Sequence, residues 1–392
     1  MAKILFIEWC DYVGYPTGGH LSFARHLLGA FGRDLKLVGI DTNNECHVGK
    51  WTKRKIDGIE YEYYSVAKIK KEEGKPFIPS RITAYCRMKR YIRDILKVEH
   101  DYIVVQTPEA LLSLPSSSLN KVTLIMPGVE NPIKFSRYKF MRRIANLYDF
   151  FYFRKASKVA VILPAADKKA IAELLERSKG LIPSSIVKSF PTRYDANIFK
   201  VKDPIGLRDR YSIDKNLTLY VYVGRLNWIK GWKFMIDCFR KTNISNSQFI
   251  LIGDGEDEAE IKEQITKCGM EDRILLLGKK TPEEISDYLN MANVFVMGSY
   301  KEGWSTSLVE AVACACPCVV TDFSSSSDMI EDGVNGWVIK KRNEDEFAQR
   351  MKDALQLDRN ELLNKARRIS VLSVQEMRRQ MILNAQWDLS HN

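Results

Sequence analysis

Two cations follow an apolar segment in the second half of the chain. Leu217–Val223 ends at Gly224, and Arg225 and Lys230 come next, just before a helix that the pattern places near Trp232. Positive side chains are unfavourable at a helix N-terminus, because that end already carries about half a positive charge. An anion bound there would reverse this effect, since helix N-termini bind phosphate readily. Two solvated surface cations are the alternative interpretation.

A carboxylate and several hydroxyls follow a second apolar segment, Val294–Met297. Glu302 lies in the loop after it, at the carboxyl end of a predicted strand, where open parallel sheets bind ligands. The hydroxyls and backbone N–H groups of the helix start that follows suit a phosphate. Glu310 has a second interpretation, because Ser307 and Glu310 have the spacing of a capping box. The hydroxyl residues of this helix start are Ser305, Thr306 and Ser307.

A third segment, Gln248–Ile252, ends in the turn Gly253-Asp254-Gly255. Such a turn is weak evidence for a binding site on its own, because it is more often a simple chain reversal. Three glycine- or loop-bearing strand ends in one domain are a stronger signal, because the carboxyl ends of parallel strands meet at one edge of a sheet.

Both halves of the chain alternate short apolar runs with amphipathic stretches, the pattern of strand-helix-strand units around a parallel sheet. We predict an α/β fold with an N-terminal domain over residues 1–198, joined by a C-terminal helix at 374–392, and a C-terminal domain over residues 199–373. The remaining predicted strands are Lys3–Glu8, Leu35–Ile40, Tyr102–Gln106, Val122–Met126, Val159–Leu163, Ile274–Leu277, Cys318–Thr321 and Gly336–Ile339.

The composition favours a cytoplasmic protein. No apolar run reaches the roughly 18 residues that cross a bilayer, and the N-terminal segment becomes acidic at Glu8, too early for a signal peptide. Eight cysteines in 392 residues are too few for a disulfide scaffold. Cys314, Cys316 and Cys318 alternate, but zinc sites need wider ligand spacing and four ligands, so no metal is expected there.

The charge is uneven along the chain. Residues 1–200 hold 34 Lys and Arg against 20 Asp and Glu, whereas residues 201–392 hold 26 against 29. Such asymmetry suggests two domains with different partners. Cations and aromatics alternate over residues 134–155, as on helices that lie at a membrane surface. We therefore predict peripheral contact of the N-terminal domain with an anionic membrane at its cytoplasmic face; the alternative is a helix whose aromatics pack on their own sheet.

The chain resembles the retaining glycosyltransferases of family 4, which have the GT-B fold of two Rossmann-like domains facing each other across a cleft. The resemblance extends over nearly the whole chain and is densest from about residue 217 to 340. The motifs that carry it are Gly224-Arg225, Lys230-Gly231, Gly253-Asp254-Gly255, Glu302 with Glu310, and Asn335-Gly336.

The resemblance implies a role for each matching residue. Arg225 and Lys230 would hold the donor diphosphate and stabilise the leaving phosphate, Glu302 would face the donor sugar, and Glu310 would bind the ribose. With two cations on the diphosphate, no metal or other cofactor is expected. Further donor-binding positions that it implies are Gly18, Gly19, Gly224, Gly253, Asp254, Ser305, Thr306, Ser307 and Leu308.

One feature of the family is missing. Its members usually have a histidine after the fourth or fifth strand of the first domain, near the reacting sugar. The corresponding stretch here, Leu124–Glu130, has none, which puts the acceptor-side chemistry in doubt. Glu130 could occupy that region, or it could be a structural carboxylate.

The function that this pattern predicts is retaining, metal-independent sugar transfer from a nucleotide sugar to a glycan acceptor. A UDP-sugar is favoured because such donors are common in the family. The basic N-terminal half favours a lipid-linked or membrane-held acceptor, as in cell-surface polysaccharide or glycoconjugate synthesis. The alternatives are a degenerate sugar-nucleotide-binding module and a sugar-nucleotide epimerase of GT-B-like fold. Nucleic-acid binding would explain the basic charge but leaves the two glutamates without a role.

Overall fold

The computed structural model describes residues 3–15, 19–69, 78–126, 131, 144–163, 168–191, 193–302 and 304–385. The chain divides into two compact units. Unit 1 contains residues 1–191 together with 374–392, and unit 2 contains residues 192–373.

Unit 1 is built on a sheet of eight strands in the order β3-β4-β2-β1-β5-β6-β7-β8. All neighbouring strands are parallel except β3 and β4, which form an antiparallel hairpin. The strands are β1 (Ile4–Ile7), β2 (Leu35–Asp41), β3 (Trp51–Ile56), β4 (Ile59–Lys68), β5 (Tyr102–Val105), β6 (Val122–Ile125), β7 (Ala160–Leu163) and β8 (Val187–Ser189).

Helices cover the sheet of unit 1, and the last helix of the chain belongs to this unit. Met377 and Met381 on that helix are fully buried in one cluster with Leu27 and Phe31 of the first helix, which is how the chain terminus returns to unit 1. The helices described here are α1 (Gly19–Phe31), α2 (Ser80–Ile95), α3 (Pro108–Ser113), α4 (Ala145–Ala156), α5 (Lys168–Arg177) and the final helix α14 (Val374–Ala385).

Unit 2 has a six-stranded, fully parallel sheet in the order β11-β10-β9-β12-β13-β14. Apart from the half-buried edge strand β11, its strands are almost entirely buried, as expected for a parallel sheet covered on both faces. The strands are β9 (Thr218–Val223), β10 (Ser247–Ile252), β11 (Ile274–Gly278), β12 (Val294–Met297), β13 (Cys318–Thr321) and β14 (Gly336–Ile339). The helices are α6 (Pro204–Arg210), α7 (Trp232–Thr242), α8 (Glu258–Lys267), α9 (Pro282–Met291), α10 (Thr306–Ala313), α11 (Ser326–Met329), α12 (Glu344–Asp353) and α13 (Arg359–Arg368).

Each sheet contains a point at which the direction of strand addition reverses. In unit 1 the reversal lies between β1 and β5, and in unit 2 it lies between β9 and β12. The loops at the carboxyl ends of such a strand pair diverge to opposite faces and leave a crevice, the usual ligand position in open α/β sheets. In unit 2 the predicted site residues follow β9, β10 and β12, around this point.

Candidate donor site

The turn after β10 packs directly on the loop after β9. A Cβ atom on Gly253 would lie 1.9 Å from the Gly224 carbonyl oxygen, and one on Gly255 would lie 2.0 Å from that of Leu226. The Leu226 N–H donates to the Asp254 carbonyl at 2.7 Å. The glycines of this turn therefore allow backbone contact between the two loops. The Asp254 side chain points outward and forms an exposed ion pair with Lys279 at 2.8 Å.

The loop after β9 is also fixed to the loop after β12. Gly231 has a left-handed conformation with φ of +69°, and a Cβ there would lie 1.9 Å from the Gly298 carbonyl oxygen. The Tyr300 N–H donates to the Ile229 carbonyl at 2.8 Å. Only glycine satisfies both demands on residue 231, positive φ and close backbone approach.

This attachment brings Lys230 and Glu302 together. The Lys230 Nζ lies 2.6 Å from the Glu302 Oε1, and the Ser299 hydroxyl donates to the same oxygen at 2.8 Å. The two side chains keep 23% and 11% of their surface exposed, so the ion pair is accessible from solvent. A phosphate and a sugar hydroxyl could each find a partner here, a cation for the first and a carboxylate for the second.

Arg225 lies on the exposed part of the same loop. The Tyr222 hydroxyl donates to its carbonyl at 3.0 Å and so holds the backbone. Its guanidinium makes no ion pair with any residue that the structure describes. A cation held by its backbone and left without a carboxylate can bind an anionic ligand without first breaking an ion pair.

The capping-box interpretation of Ser307 and Glu310 is wrong. The N-cap of α10 is Ser305, whose hydroxyl accepts from the Leu308 N–H at 3.3 Å. Ser307 is consequently the second residue of the helix and Glu310 the fifth, beyond the reach of a cap. The hydroxyl of Ser305 is buried and serves the helix end, and the Leu308 N–H has that hydroxyl as its partner. Thr306 and Ser307 remain half-buried at the helix start.

Glu310 is left with no capping role. It is half-buried, and desolvation raises the pKa of its carboxyl to about 7. No hydrogen bond links this carboxyl to another described residue. A carboxyl in this state is suited to accept hydrogen bonds from an incoming diol such as a ribose.

Arg342, in the loop after β14, is a positioning residue that the sequence pattern did not single out. Its Nη1 donates to the Gly298 carbonyl at 2.8 Å, and its guanidinium lies 3.6 Å from the centre of the Tyr300 ring. It thereby holds both ends of the segment that precedes Glu302. The sequence carried no motif for it, because its partners lie about 40 residues away along the chain.

Unit 1 contains a second residue that positions a loop and was not singled out from the sequence. This residue is Asp11, in the loop after β1. Its Oδ1 accepts from the N–H groups of Val13, Gly14 and Tyr15 at 2.7–2.9 Å, and its Oδ2 accepts from Thr42 at 2.7 Å. These hydrogen bonds lower the pKa of Asp11, although burial opposes them. An Asp just before a glycine loop is a recognisable turn signal.

The predicted glycine pair lies just after this loop. Gly19 is the first residue of α1, whereas Gly18 and Glu130 lie outside the described residues. Within the described ranges, no group of three or more His, Cys, Asp or Glu side chains is arranged to bind a metal ion. None of the described helices is long and apolar enough to cross a membrane.

Comparison with known proteins agrees with this geometry. Residues 206–385, a little under half of the chain, match the family described as glycosyl transferases group 1. The fold of this chain is GT-B, so the predicted fold class is confirmed. The chain superimposes on the structure of Anabaena HepE in complex with UDP and glucose with a TM-score of 0.69 and 17% identity, covering 99% of this chain and 100% of the other.

Two curated relatives show how far the sequence similarity extends. N-acetyl-alpha-D-glucosaminyl L-malate synthase of Bacillus anthracis is 24% identical over 40% of this chain and 41% of its own length. N-acetylgalactosamine-N,N'-diacetylbacillosaminyl-diphospho-undecaprenol 4-alpha-N-acetylgalactosaminyltransferase of Campylobacter jejuni is 23% identical over 72% of each chain. The alignment with the first relative thus spans less than half of that protein.

Proposed function

We propose that the protein is a retaining glycosyltransferase, which moves a hexose from a UDP-sugar to a glycan acceptor in polysaccharide or glycoconjugate synthesis. The observation that carries this proposal is the contact of Lys230 with Glu302 at the strand-order reversal of unit 2. Arg225 lies on the same loop as Lys230 and has no ion-pair partner in the described ranges. The proposal is also supported by the UDP and glucose in the HepE structure and by the transferase names of both relatives.

The residues of unit 2 suit the parts of such a donor. Arg225 and Lys230 place two positive charges where the diphosphate gains negative charge as the sugar leaves, and preorganised charge of this kind is usually the largest catalytic contribution. Glu302 accepts hydrogen bonds from sugar hydroxyls, while Ser299 and Lys230 fix its carboxylate. Glu310 accepts hydrogen bonds from the ribose. No divalent metal is required in this scheme.

A thermal-shift screen against UDP, GDP, ADP and their sugar conjugates tests the donor half of the proposal. A ligand at a hundred times its dissociation constant stabilises the folded state by about 2.7 kcal/mol. We expect UDP and one UDP-sugar to raise the Tm most. A larger rise in Tm with GDP or ADP would show that the donor carries guanine or adenine instead of uracil. No shift with any nucleotide would contradict the proposed donor site.

We further propose that unit 1 contacts an anionic membrane, where the acceptor glycan is held. The diphospho-undecaprenol in the name of the Campylobacter jejuni relative supports a lipid-linked acceptor. The aromatic side chains of helix α4 lie on two faces: Tyr152 and Phe153 are buried, whereas Phe150 and Phe151 are about half exposed, as is the aliphatic Leu147. The interpretation that all its aromatics pack on the sheet therefore applies to only one face of this helix.

Helix α2 extends this surface. Arg81 of α2 donates to Glu109 of α3 at 2.8 Å, and Tyr148 of α4 donates to the same carboxylate at 3.4 Å, so the three helices are neighbours. Ile82 and Tyr85 of α2 are exposed as well. Apolar side chains framed by cations suit an anionic lipid surface, to which each cation adds about 1 kcal/mol of attraction. The exposed cations on α2 and α4 are Arg87, Lys89, Arg90, Arg93 and Arg154.

The double variant Phe150→Ser/Phe151→Ser should lose most binding to phosphatidylglycerol vesicles in co-sedimentation, at least tenfold, because half-exposed aromatics contribute little to the fold and much to insertion. The matched control is Val201→Ser/Ile205→Ser, which removes two exposed apolar side chains of unit 2 and should pellet like the parent. Equal pelleting of both variants, or absence of the parent from the pellet, would remove this surface from the proposal.

A further inference from the structure

Unit 1 has a buried carboxyl at its own strand-order reversal. Glu8 directly follows β1, and its backbone N–H continues the sheet by donating to the Val38 carbonyl at 3.0 Å. Because the sheet pairs Ile7 with Val105, Glu8 and Gln106 occupy adjoining positions at the ends of β1 and β5. These are the two strands between which the order reverses, so Glu8 lies where open α/β sheets receive ligands.

The Glu8 side chain is 2% exposed. Its Oε1 accepts from the N–H of Trp9 at 2.8 Å, but its buried Oε2 has no hydrogen-bond partner among the described residues. The buried hydroxyl of Thr107, the N-cap residue of α3 in the loop after β5, has no partner in this part of the structure either. Buried polar atoms are nearly always hydrogen-bonded, and those that are not call for an explanation, such as a catalytic role or a bound water, ion or ligand.

Glu8 is also costly for the fold. Burial raises the pKa of its carboxyl to about 8, and the negative charge of Glu109 acts in the same direction. At neutral pH the folded protein must therefore keep a proton that the unfolded chain would release, which destabilises the native state. An isosteric glutamine would avoid this cost. A carboxyl at such a position is explained by a ligand that hydrogen-bonds to it.

We propose that Glu8 binds the acceptor, with its carboxyl hydrogen-bonded to a hydroxyl group of the sugar that receives the transferred hexose. The proposal rests on the proposed function and names the residue that meets the acceptor in unit 1. It also gives unit 1 a polar acceptor contact in a chain that lacks the expected histidine.

The variant Glu8→Gln tests the proposal, with Glu109→Gln as its matched control. Glu109 is a carboxyl of unit 1 that is equally buried, at 4% exposed, but it is paired with Arg81 and Tyr148. The probes are octyl glycosides of glucose, galactose, N-acetylglucosamine and N-acetylgalactosamine. Their binding is followed by saturation-transfer NMR, and the Tm of each variant is measured at pH 7 with and without UDP.

We expect Glu8→Gln to raise the Tm and to weaken glycoside binding at least tenfold while the shift with UDP is unchanged. Glu109→Gln should lower the Tm and keep glycoside binding. A lower Tm for Glu8→Gln, or glycoside binding equal to that of the parent, would show a structural carboxyl and overturn the proposal. Absence of glycoside binding by the parent would overturn it as well. In that case, a rise in Tm on addition of UDP would show that the proposed donor function still holds.

Discussion

Replacement of Lys230 by alanine should slow sugar transfer by about two to three orders of magnitude, the usual effect of removing one group that stabilises developing charge. Lys230 is the cation in direct contact with Glu302, so its loss both removes charge from the diphosphate and releases the carboxylate that faces the sugar. Nucleotide release from the donor identified by thermal shift, measured under single-turnover conditions, gives the rate.

The Tm of this variant should change little, because partly exposed ion pairs contribute about 0–1 kcal/mol to stability. The Ser299 hydroxyl and solvent still satisfy Glu302. Lys262→Ala is the matched control: Lys262 forms an exposed ion pair with Glu258 on α8 and should transfer sugar at the parent rate. If Lys230→Ala also keeps the parent rate, the catalytic site lies elsewhere.

Arg225→Ala and Glu302→Ala belong to the same test. Arg225 is exposed and unpaired among the described residues, so its loss should leave the Tm unchanged and lower the rate. Glu302→Ala should abolish transfer with the fold retained. Parent rates in all three variants would contradict the whole assignment of the donor site.

The strands of unit 2 could be predicted from sequence because all of them except the edge strand β11 are buried on both faces. A parallel strand covered by helices reads as an uninterrupted apolar run, and segments such as Gln248–Ile252 and Val294–Met297 have no other obvious interpretation. The observed strands begin and end within one residue of the predicted ones. The right-handed crossovers of such units restrict the possible strand orders but do not fix where the order reverses.

The β3–β4 hairpin of unit 1 was missed, although a signal for it exists. Asp57-Gly58 links the two strands, and both residues have positive φ, +47° and +82°, as a tight two-residue hairpin turn demands. The flanking strands contain many charged and tyrosine residues, because β3 is an edge strand paired with β4 alone. Their apolar pattern is therefore weak, and only the turn dipeptide identifies them.

The residues of the proposed donor site could be selected from the sequence, but their contacts could not be predicted. Lys230 and Glu302 are 72 residues apart, and their meeting depends on the contact of Gly231 with Gly298 and on Arg342 beneath Tyr300. The wrong capping-box interpretation of Ser307 and Glu310 has a similar origin. Ser305 and Ser307 both suit an N-cap, and the choice depends on which has an extended backbone, here Ser305 with φ of −78° and ψ of 110°.

The affinity for the nucleotide should fall as the pH is lowered from 8 to 6, through protonation of Glu310. Burial raises the pKa of this carboxyl to about 7, so it is mainly ionised at pH 8 and mainly protonated at pH 6. In the proposed site the carboxylate accepts hydrogen bonds from both ribose hydroxyls, whereas the protonated form loses one acceptor and the charge. Below the pKa, affinity that requires the ionised form falls about tenfold per pH unit.

Glu310→Gln separates this effect from titration of the nucleotide itself, since the ligand titrates identically with both proteins. The variant should bind UDP more weakly at pH 8, and its affinity, measured by isothermal titration calorimetry, should depend less on pH.

The stability of the folded variant should change in the opposite direction from its affinity for UDP. The folded-state pKa lies above that of the unfolded chain, so stability due to the bound proton is present below the unfolded value of 4.5 and is lost as the pH rises through 7. Glu310→Gln should therefore have a higher Tm than the parent at pH 8. A pH dependence of affinity that keeps its slope after the substitution would show that Glu310 does not meet the ribose, because removal of its carboxyl would then have had no effect on binding.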